Sequence, residues 1–312
     1  MESLWPPLPL DAWRPTQATL HRCAQMVGKI RLALAPITNH YWSVALHLTP
    51  RGLTTGPTPY EGRTFDLAFD LLEHELVLRT SDGAVRSMPL QARPVADLYS
   101  DLFGLLAEVG IHVTIDDHPV EIDREAIPFH SDRVHGDYNP EQASRWFRIV
   151  ARTAVVLEQF RAGFIGKCSP VHFFWGSFDL ACTRFSGRRA PERPGADLVT
   201  REAYSHECIS AGFWPGDDRY PQPAFYSYTA PAPDGLADAT VRPDAAFYHR
   251  DLAEFLLPYD VLRRAPSPPQ KLLEFFQSTY DAGATLARWD RAELERPVPE
   301  GAAAPERPHP PG

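Results

Sequence analysis

The pattern of apolar residues gives the same order of elements twice: a helix, several short strands and a closing helix. In the first half, residues 16–34 carry apolar side chains at helical spacing and end before Pro36, and residues 94–109 are predicted to form the closing helix. Segments with the pattern of strands are 41–49, 64–72, 75–80, 84–90 and 111–115. The turn Ser81-Asp82-Gly83 joins two of these strands as a hairpin.

The second half repeats this order. Helices are predicted at 141–162 and 269–289, and strands around 171–185 and at 205–213, 224–229 and 245–248. The chain is therefore predicted to be an α+β protein with mainly antiparallel sheets. It is divided into an N-terminal half (1–115), a connector (116–140), a C-terminal half that carries the site (141–290) and a disordered proline-rich tail (291–312).

An internal duplication would explain the repeated order. The segment that begins at Trp42 resembles the one that begins at Trp175, and His40 and His172 lie just before these tryptophans. Chance is an equal alternative, because α+β units recur and gapped matches are easily found. If the duplication is real, we expect the functional site at the seam between the halves.

Composition limits the possible partners. The 312 residues with 44% hydrophobic content are typical of a globular protein, and the net charge of -9 without a basic stripe argues against a nucleic-acid partner. The sequence has no signal-peptide pattern and no apolar run of about 20 residues, so we expect a cytoplasmic protein without a membrane partner. Four cysteines without a CxxC pair suit a reducing compartment. The oligomeric state is not predicted.

A stretch from Gly166 to Gly187 places reactive side chains inside what is otherwise a buried strand pattern. A divalent transition metal, such as non-haem iron, zinc or manganese, could bind His172 and His206 with a carboxylate from Glu207 or Asp179. No helical metal motif such as HExxH is present, and no nucleotide-cofactor motif either. In one continuous strand, His172 and Asp179 face opposite sides unless Gly176 permits a bulge. Hydrogen-bonded core histidines are an equal alternative.

A metal-free alternative uses Cys168 as a nucleophile. His172 could act as its base and Lys167 could lower the pKa of the thiol. A cysteine in a loop is, however, more often inert than catalytic.

Other polar and aromatic side chains could bind a substrate. On the first helix, His21, Gln25 and Lys29 form a polar stripe, which is usually a solvated face but could line a cleft for an anion. Arg184 could orient the anionic group of that substrate. Most aromatic residues of the second half are expected in the core, and a minority could wall a pocket. The tryptophans assigned to that wall are Trp175 and Trp214.

Several segments together resemble a known family. They are Gly28-Lys-Ile-Arg-Leu-Ala-Leu34, Asn39-His-Tyr-Trp42, Arg51-Gly-Leu-Thr-Thr55, Gly166-Lys-Cys-Ser-Pro-Val-His-Phe-Phe-Trp-Gly-Ser-Phe-Asp179 and Glu202-Ala-Tyr-Ser-His-Glu207. The chain resembles, over nearly its whole length apart from the tail, a bacterial family catalogued as a domain of unknown function. The resemblance implies no activity, fold or catalytic residue.

The sequence thus favours a small-molecule enzyme, a metal-dependent oxidoreductase or hydrolase, that acts on a small anionic or aromatic metabolite. One alternative is a protein that binds a metabolite without converting it. The other is the metal-free enzyme with Cys168 as nucleophile.

Overall fold

The computed structural model describes residues 4–122 and 127–296. Within these residues the fold is α+β, as predicted, with two mainly antiparallel sheets. The helices are α1 (Leu10–Leu34), α2 (Val95–Glu108), α3 (Pro140–Ala162), α4 (Leu198–Ala203), α5 (Tyr259–Leu262), α6 (Pro268–Leu286) and α7 (Arg291–Leu294).

The first sheet contains the strands of the N-terminal half. They are β1 (His47–Thr49), β2 (Gly52–Thr54), β3 (Thr58–Tyr60), β4 (Arg63–Asp70), β5 (Glu75–Thr80) and β6 (Val85–Pro89). The order across the sheet is β1-β2-β4-β5-β6, and β3 pairs with β4. Each of these pairs is antiparallel.

The second sheet contains the strands of the C-terminal half. They are β7 (His172–Phe174), β8 (Asp179–Arg189), β9 (His206–Trp214), β10 (Ala224–Ala230), β11 (Phe247–His249) and β12 (Glu254–Pro258). The order is β11-β12-β10-β9-β8-β7, again with antiparallel pairs. The two sheets are linked by a backbone bridge, in which Leu46 and Phe173 donate their N–H groups to each other's carbonyls at 2.9 and 2.8 Å.

The second sheet has two faces of different character. Side chains alternate along a strand, so the register decides which of them share a face. Helices α3 and α6 pack against one face, which we call the helix face. The opposite face, which we call the loop face, carries side chains from all six strands, namely His172, Phe174, Asp179, Ala181, Thr183, Phe185, His206, Cys208, Ser210, Trp214, Ala224, Tyr226, Tyr228, Phe247, His249, Glu254 and Leu256.

Some elements differ from the prediction. Helix α1 begins before residue 16, residues 111–115 form no strand, and β2, β3 and β12 were not predicted. Residues Asn39–Val44 form a 3-10 turn rather than the start of a strand, because His40 and Tyr41 both adopt positive φ angles, 56° and 57°. Such a backbone cannot continue a β-ladder.

The structure does not confirm an internal duplication. The strand orders of the two sheets differ, and Trp42 lies in the 3-10 turn whereas Trp175 lies in the turn between β7 and β8. One hydrophobic cluster includes core residues of both halves. Residues 291–294 of the predicted tail are helical rather than disordered, and 297–312 lie outside the described residues.

The polar stripe of α1 is buried, so the preferred expectation of a solvated face was wrong. His21 Nε2 lies 3.0 and 2.8 Å from the carbonyl oxygens of Trp175 and Gly176. Gln25 exchanges two hydrogen bonds with the backbone of Val120. Lys29 donates to Asp116 and to the carbonyl of His118. The stripe therefore holds the connector and the β7–β8 turn against α1. No helix in the described part of the chain is long and apolar enough to cross a bilayer.

Candidate functional site

The turn between β7 and β8 brings His172 and Asp179 onto the same face of the sheet. Phe174 pairs with Asp179, and His172 pairs with Ala181. The chain reverses over residues 175–178, where Phe178 adopts a φ of 59°. The obstacle expected for one continuous strand is thus removed by a hairpin rather than by a bulge. Four of the predicted site residues lie on the loop face: His172, Asp179, His206 and Trp214.

Asp179 is buried and bound by two hydroxyl groups. Ser177 donates to Oδ1 at 2.7 Å, and Tyr226 donates a short hydrogen bond to Oδ2. Burial raises the pKa of Asp179, although both hydrogen bonds oppose this. Burial and the charge of Asp179 raise the pKa of Tyr226 well above its usual value, so Tyr226 keeps its hydrogen and remains the donor.

Glu254 lies on the same face, at the start of β12. By continuation of the β10–β12 register it stands opposite Tyr228, next to Tyr226. Burial raises the pKa of Glu254 to about 7, and the charge of Asp179 adds to this increase. The carboxyl of Glu121 lies close to Gly176, where an added Cβ atom would be 2.6 Å from Oε1, and desolvation and then the charge of Asp179 raise its pKa. We call Asp179, Tyr226 and Glu254 the carboxylate end of the loop face.

Aromatic rings surround the carboxylate end. Tyr226 and Tyr228 stack with ring centroids 6.1 Å apart and an interplanar angle of 9°. Tyr204 donates to the hydroxyl of Tyr228 at 3.1 Å, and Trp214 stacks with Tyr220 at 6.4 Å. These residues form clusters separate from the main core. Trp214 and four tyrosines thus lie around the carboxylate end, whereas Trp175, the other tryptophan assigned to a pocket wall, packs against α1.

A second group of ionisable side chains lies near the other end of the loop face. Lys167 Nζ lies 2.6 Å from His40 Nε2, and the ring of His206 lies 5.6 Å from that of His40. Because Lys167 can only donate, the Nδ1–H of His40 donates to the carbonyl of Glu202, at 3.0 Å. Trp42 and Phe185 flank the ammonium group at 5.7 and 5.3 Å.

We call His40, Lys167 and His206 the histidine end. Burial lowers the pKa of His40 and of His206, and the charge of Lys167 lowers both further. Burial also lowers the pKa of Lys167. On β9, Gly212 pairs with Tyr226 and so marks the carboxylate end. His206 and Gly212 lie about 20 Å apart at about 3.3 Å per residue, so the two ends are separate.

His172 occupies an apolar position between the two ends. Its ring contacts Phe174 at 4.6 Å and Trp42 at 6.3 Å. Neither ring nitrogen has a hydrogen-bond partner among the described residues. Burial lowers the pKa of His172 to about 3, so the ring is neutral at physiological pH. His172 is therefore buried, as expected for a core histidine, but no described residue forms a hydrogen bond with its ring nitrogens.

Glu207 and Arg184 lie on the helix face. Glu207 follows His206 in β9, and consecutive strand residues face opposite sides. Its carboxylate accepts hydrogen bonds from Ser186 and Arg188. Arg184 is buried, donates to the carbonyl of Phe160, and stacks 3.5 Å from that ring. Neither side chain faces the carboxylate end.

Cys168 also lies on the helix face. It forms an isolated bridge with Arg184, and its thiol lies 3.7 Å from that of Cys182. The ring contacts of His172 are with other residues, on the loop face. The predicted pair of Cys168 and His172 is thus divided between the two faces.

The remaining predicted binding residues contact α1 rather than the loop face. Trp175 packs against Gly28 and donates to the carbonyl of Val44 at 2.8 Å. His21 and Lys29 hold the turn and the connector, as described above.

Metal-ligand side chains converge elsewhere. Within residues 4–122 and 127–296, the one group of three whose ligand atoms lie within 4.8 Å of one another is Asp116, Asp117 and His118. This group is largely exposed, and Asp116 already binds Lys29. The predicted ligands His172, His206 and Glu207 do not form such a group in the described chain.

An open groove of ≈ 610 Å³ lies beside the first sheet, between the end of α1 and the β3–β4 turn. Arg63 lines this groove, and its guanidinium group donates hydrogen bonds to Asp82 and to the carbonyl of Val109. The carboxyl groups whose pKa values are raised, those of Asp179 and Glu254, lie together on the loop face instead, so we place the candidate site there.

A family model described as "Family of unknown function (DUF5996)" matches residues 5–296. The chain belongs to the DUF5996 family. The matched residues include both sheets and both ends of the loop face. Comparisons with curated proteins and with solved structures gave no match. The chemistry of this DUF5996 protein must therefore be inferred from its own side chains.

Sequence reasoning missed several side chains of the loop face. Glu254 precedes the apolar run Phe255-Leu-Leu, and a single acid at the start of a buried strand is a signal that could have found it. Tyr226 was not distinguished from the other aromatic residues of the second half. His40 was noticed only as a match to His172. No spacing rule would bring it to Lys167, 127 residues away.

Proposed function

We propose that this protein is a small-molecule enzyme that uses acid–base catalysis at the carboxylate end of the loop face. The observation that carries the proposal is the pair of carboxyl groups on one face, Glu254 with a pKa raised to about 7 and Asp179 bound by Tyr226. Carboxyl groups with different environments commonly divide the roles of acid and base.

Glu254 is the proposed proton donor and acceptor. A group whose pKa lies near the working pH is well matched to both roles, because each protonation state is populated. It is only partly buried, so a substrate can reach it. Tyr226 and Asp179 are proposed to position the substrate with fixed hydrogen bonds.

The environment indicates the substrate class. Tyr228 and Trp214 offer flat ring surfaces, which suit a planar group. Three carboxyl groups with raised pKa values disfavour an anion at this end. We therefore propose a planar, uncharged or cationic metabolite.

A protein that binds a metabolite without converting it is the second candidate. The favouring observation is that both oxygens of Asp179 already accept hydrogen bonds within the protein. Groups that are fully satisfied internally hold a pocket in shape more readily than they react.

The test uses conversion of metabolites. Wild-type protein and the variants Glu254→Gln and Asp179→Asn are incubated with an extract of small cellular metabolites, and mass spectrometry follows each compound. Glu192→Gln, at an exposed position, is the matched control. The proposal expects a compound that wild type and Glu192→Gln convert, with a loss of about 100-fold or more in Glu254→Gln.

Two outcomes would contradict the proposal. Equal conversion by wild type, Glu254→Gln and Asp179→Asn would place catalysis elsewhere. A compound that stabilises wild type and Glu254→Gln equally against heat, with no conversion, would favour the binding protein. Circular dichroism of each variant shows whether it has folded.

The metal hypothesis has its own test. Plasma mass spectrometry of protein purified without chelator is compared with His172→Ala and His206→Ala. About one equivalent of a transition metal, lost in both variants, would support a metal held by these histidines. Absence of metal after reconstitution with iron, zinc, manganese and copper would contradict it.

A further inference from the structure

Two cysteines form a close pair on the helix face, away from the proposed catalytic groups. The Sγ atoms of Cys168 and Cys182 lie 3.7 Å apart, within hydrogen-bond distance for sulfur. Cys182 is fully buried in β8, whereas Cys168 is partly exposed in the segment before β7. Cys168 is thus the more exposed of the two cysteines.

The backbone around the pair is already held together. Ser169 donates its N–H to the carbonyl of Thr183 at 2.8 Å, and Phe185 donates to the carbonyl of Lys167 at 3.0 Å. These bonds fix the segment of Cys168 beside β8. A bond between the two sulfurs therefore requires the side chains to close a short gap, with little movement of the strands.

Positive charge surrounds the thiol of Cys168. Arg184 stands opposite Cys168 in an isolated bridge, and Arg161 donates to the carbonyl of the next residue, Ser169, at 2.8 Å. The hydrogen bond from Cys182 lowers the pKa of Cys168, and both guanidinium groups lower it further, against desolvation and the charge of Glu158. The same contact and burial raise the pKa of Cys182. Cys168 is therefore the better thiolate of the two.

We propose that Cys168 and Cys182 are a site of oxidation, at which a small peroxide converts the two thiols to a disulfide. This inference is independent of the proposed function, because the pair lies on the opposite face of the sheet from Glu254.

The reaction is balanced by hydrogen peroxide as the oxidant. The Cys168 thiolate attacks one peroxide oxygen, the O–O bond breaks, and the departing hydroxide takes up a proton to form water. Cys168 is then a sulfenic acid. The sulfur of Cys182 attacks the Cys168 sulfur, the S–O bond breaks, and the hydroxyl leaves as a second water with the proton of Cys182. Two electrons pass from the two thiols to the peroxide.

The other cysteines provide internal controls. Cys23 and Cys208 are buried, and burial raises the pKa of each to about 12. Neither has a thiol partner in the described chain. Both are expected to stay reduced under mild oxidation.

The experiment treats the full-length reduced protein with a small excess of hydrogen peroxide. Remaining thiols are then alkylated under denaturing conditions, and the protein is analysed by intact mass and peptide mapping. The proposal expects a loss of two hydrogen atoms, alkylation of Cys23 and Cys208, and one linked peptide that contains Cys168 and Cys182. Reductant should reverse the change.

Variants distinguish Cys168, which attacks the peroxide, from Cys182, which attacks the sulfenic acid. In Cys182→Ser, the sulfenic acid on Cys168 should persist and react with dimedone, whereas Cys168→Ser should resist the same peroxide dose. Cys208→Ser should behave as wild type. The proposal is overturned if wild-type Cys168 is oxidised to sulfinic acid without a disulfide, if it stays reduced, or if a different pair becomes linked. The wild-type map decides the question even if a variant fails to fold.

Discussion

Tyr226 on β10 donates a hydrogen bond to Asp179 on β8, although strand β9 lies between them. The residue in the way is Gly212, which pairs with both Ala181 and Tyr226. A Cβ atom at this position would lie 2.7 Å from two ring atoms of Tyr226 and 2.0 Å from the carbonyl oxygen of Leu180. The missing side chain lets the tyrosine ring cross the middle strand.

Gly212→Ala is therefore expected to displace Tyr226 and to break its bond to Asp179. Overpacking of this kind costs about 1–3 kcal/mol of unfolding free energy, which urea denaturation measures. Gly104→Ala is the control: Gly104 lies exposed in α2 with no atom near its missing Cβ, so alanine should stabilise by about 0.5–1 kcal/mol. Equal stability of Gly212→Ala and wild type would contradict the crossing geometry.

Glu254→Gln is expected to be more stable than wild type at pH 8. The carboxyl has a pKa of about 7 in the fold against 4.5 in an unfolded chain, so the unfolded chain ionises first and wild type loses stability as pH rises from about 4.5 to about 7. For a partly exposed group we expect a difference of about 1–3 kcal/mol at pH 8, and none at pH 4. Urea denaturation at both pH values tests this. A variant less stable than wild type at pH 8 would show that the ionised carboxylate is favoured in the fold.

His172→Phe is expected to resist acid better than wild type. The imidazole has a pKa of about 3 in the fold and 6.5 in an unfolded chain, so the unfolded chain binds the proton first and stability falls as pH drops below about 6.5. At pH 5, protonation of this histidine in the unfolded chain lowers the free energy of unfolding of wild type by about 2 kcal/mol. A phenyl ring binds no proton, so the variant does not lose this stability.

At pH 7 the same variant should be no less stable than wild type, since no described residue bonds the ring nitrogens. His112→Phe, at an exposed site, is the control for the added apolar ring. A loss of several kcal/mol at pH 7 in His172→Phe alone would indicate that the nitrogens bind a metal or another group.

Lys167→Met is expected to raise the pKa values of His40 and His206. The ammonium group lies 2.6 Å from His40 Nε2, and its charge disfavours protonation of both rings. NMR titration of the histidine ring protons measures the change, with Lys271→Met on α6 as the control. Unchanged titration of both rings would contradict the histidine end as described.

The sequence predicted the elements whose periodicity is strong. The helix at 141–162 and the strand at 75–80 agree closely with α3 and β5, because each has a regular apolar pattern and a clear boundary. The strand predicted at 41–49 is wrong over 41–44, which belong to the 3-10 turn. The positive φ at Tyr41 overrides the β-propensity of these residues and is invisible in the residue types.

The site was harder to predict than the fold, because the turns between strands decide which side chains share a face of the sheet. Without an Asn-Gly or Asp-Gly signal, the reversal at 175–178 was not recognised, and a bulge at Gly176 was expected to be needed for His172 and Asp179 to share a face. The contact between Asp179 and Tyr226 also depends on strand order, which places residues 47 positions apart on one face. Such long-range pairing has no local signature.

The pKa of Glu254 is the most direct test of the account. Protein labelled with carboxyl-¹³C glutamate is titrated by NMR, and the Glu254 resonance is assigned as the one missing from Glu254→Gln. The proposed acid–base role of Glu254 predicts a midpoint near 7 that falls when Asp179→Asn removes the neighbouring charge. A midpoint near 4.5, unaffected by Asp179→Asn, would contradict an acid–base group at this site.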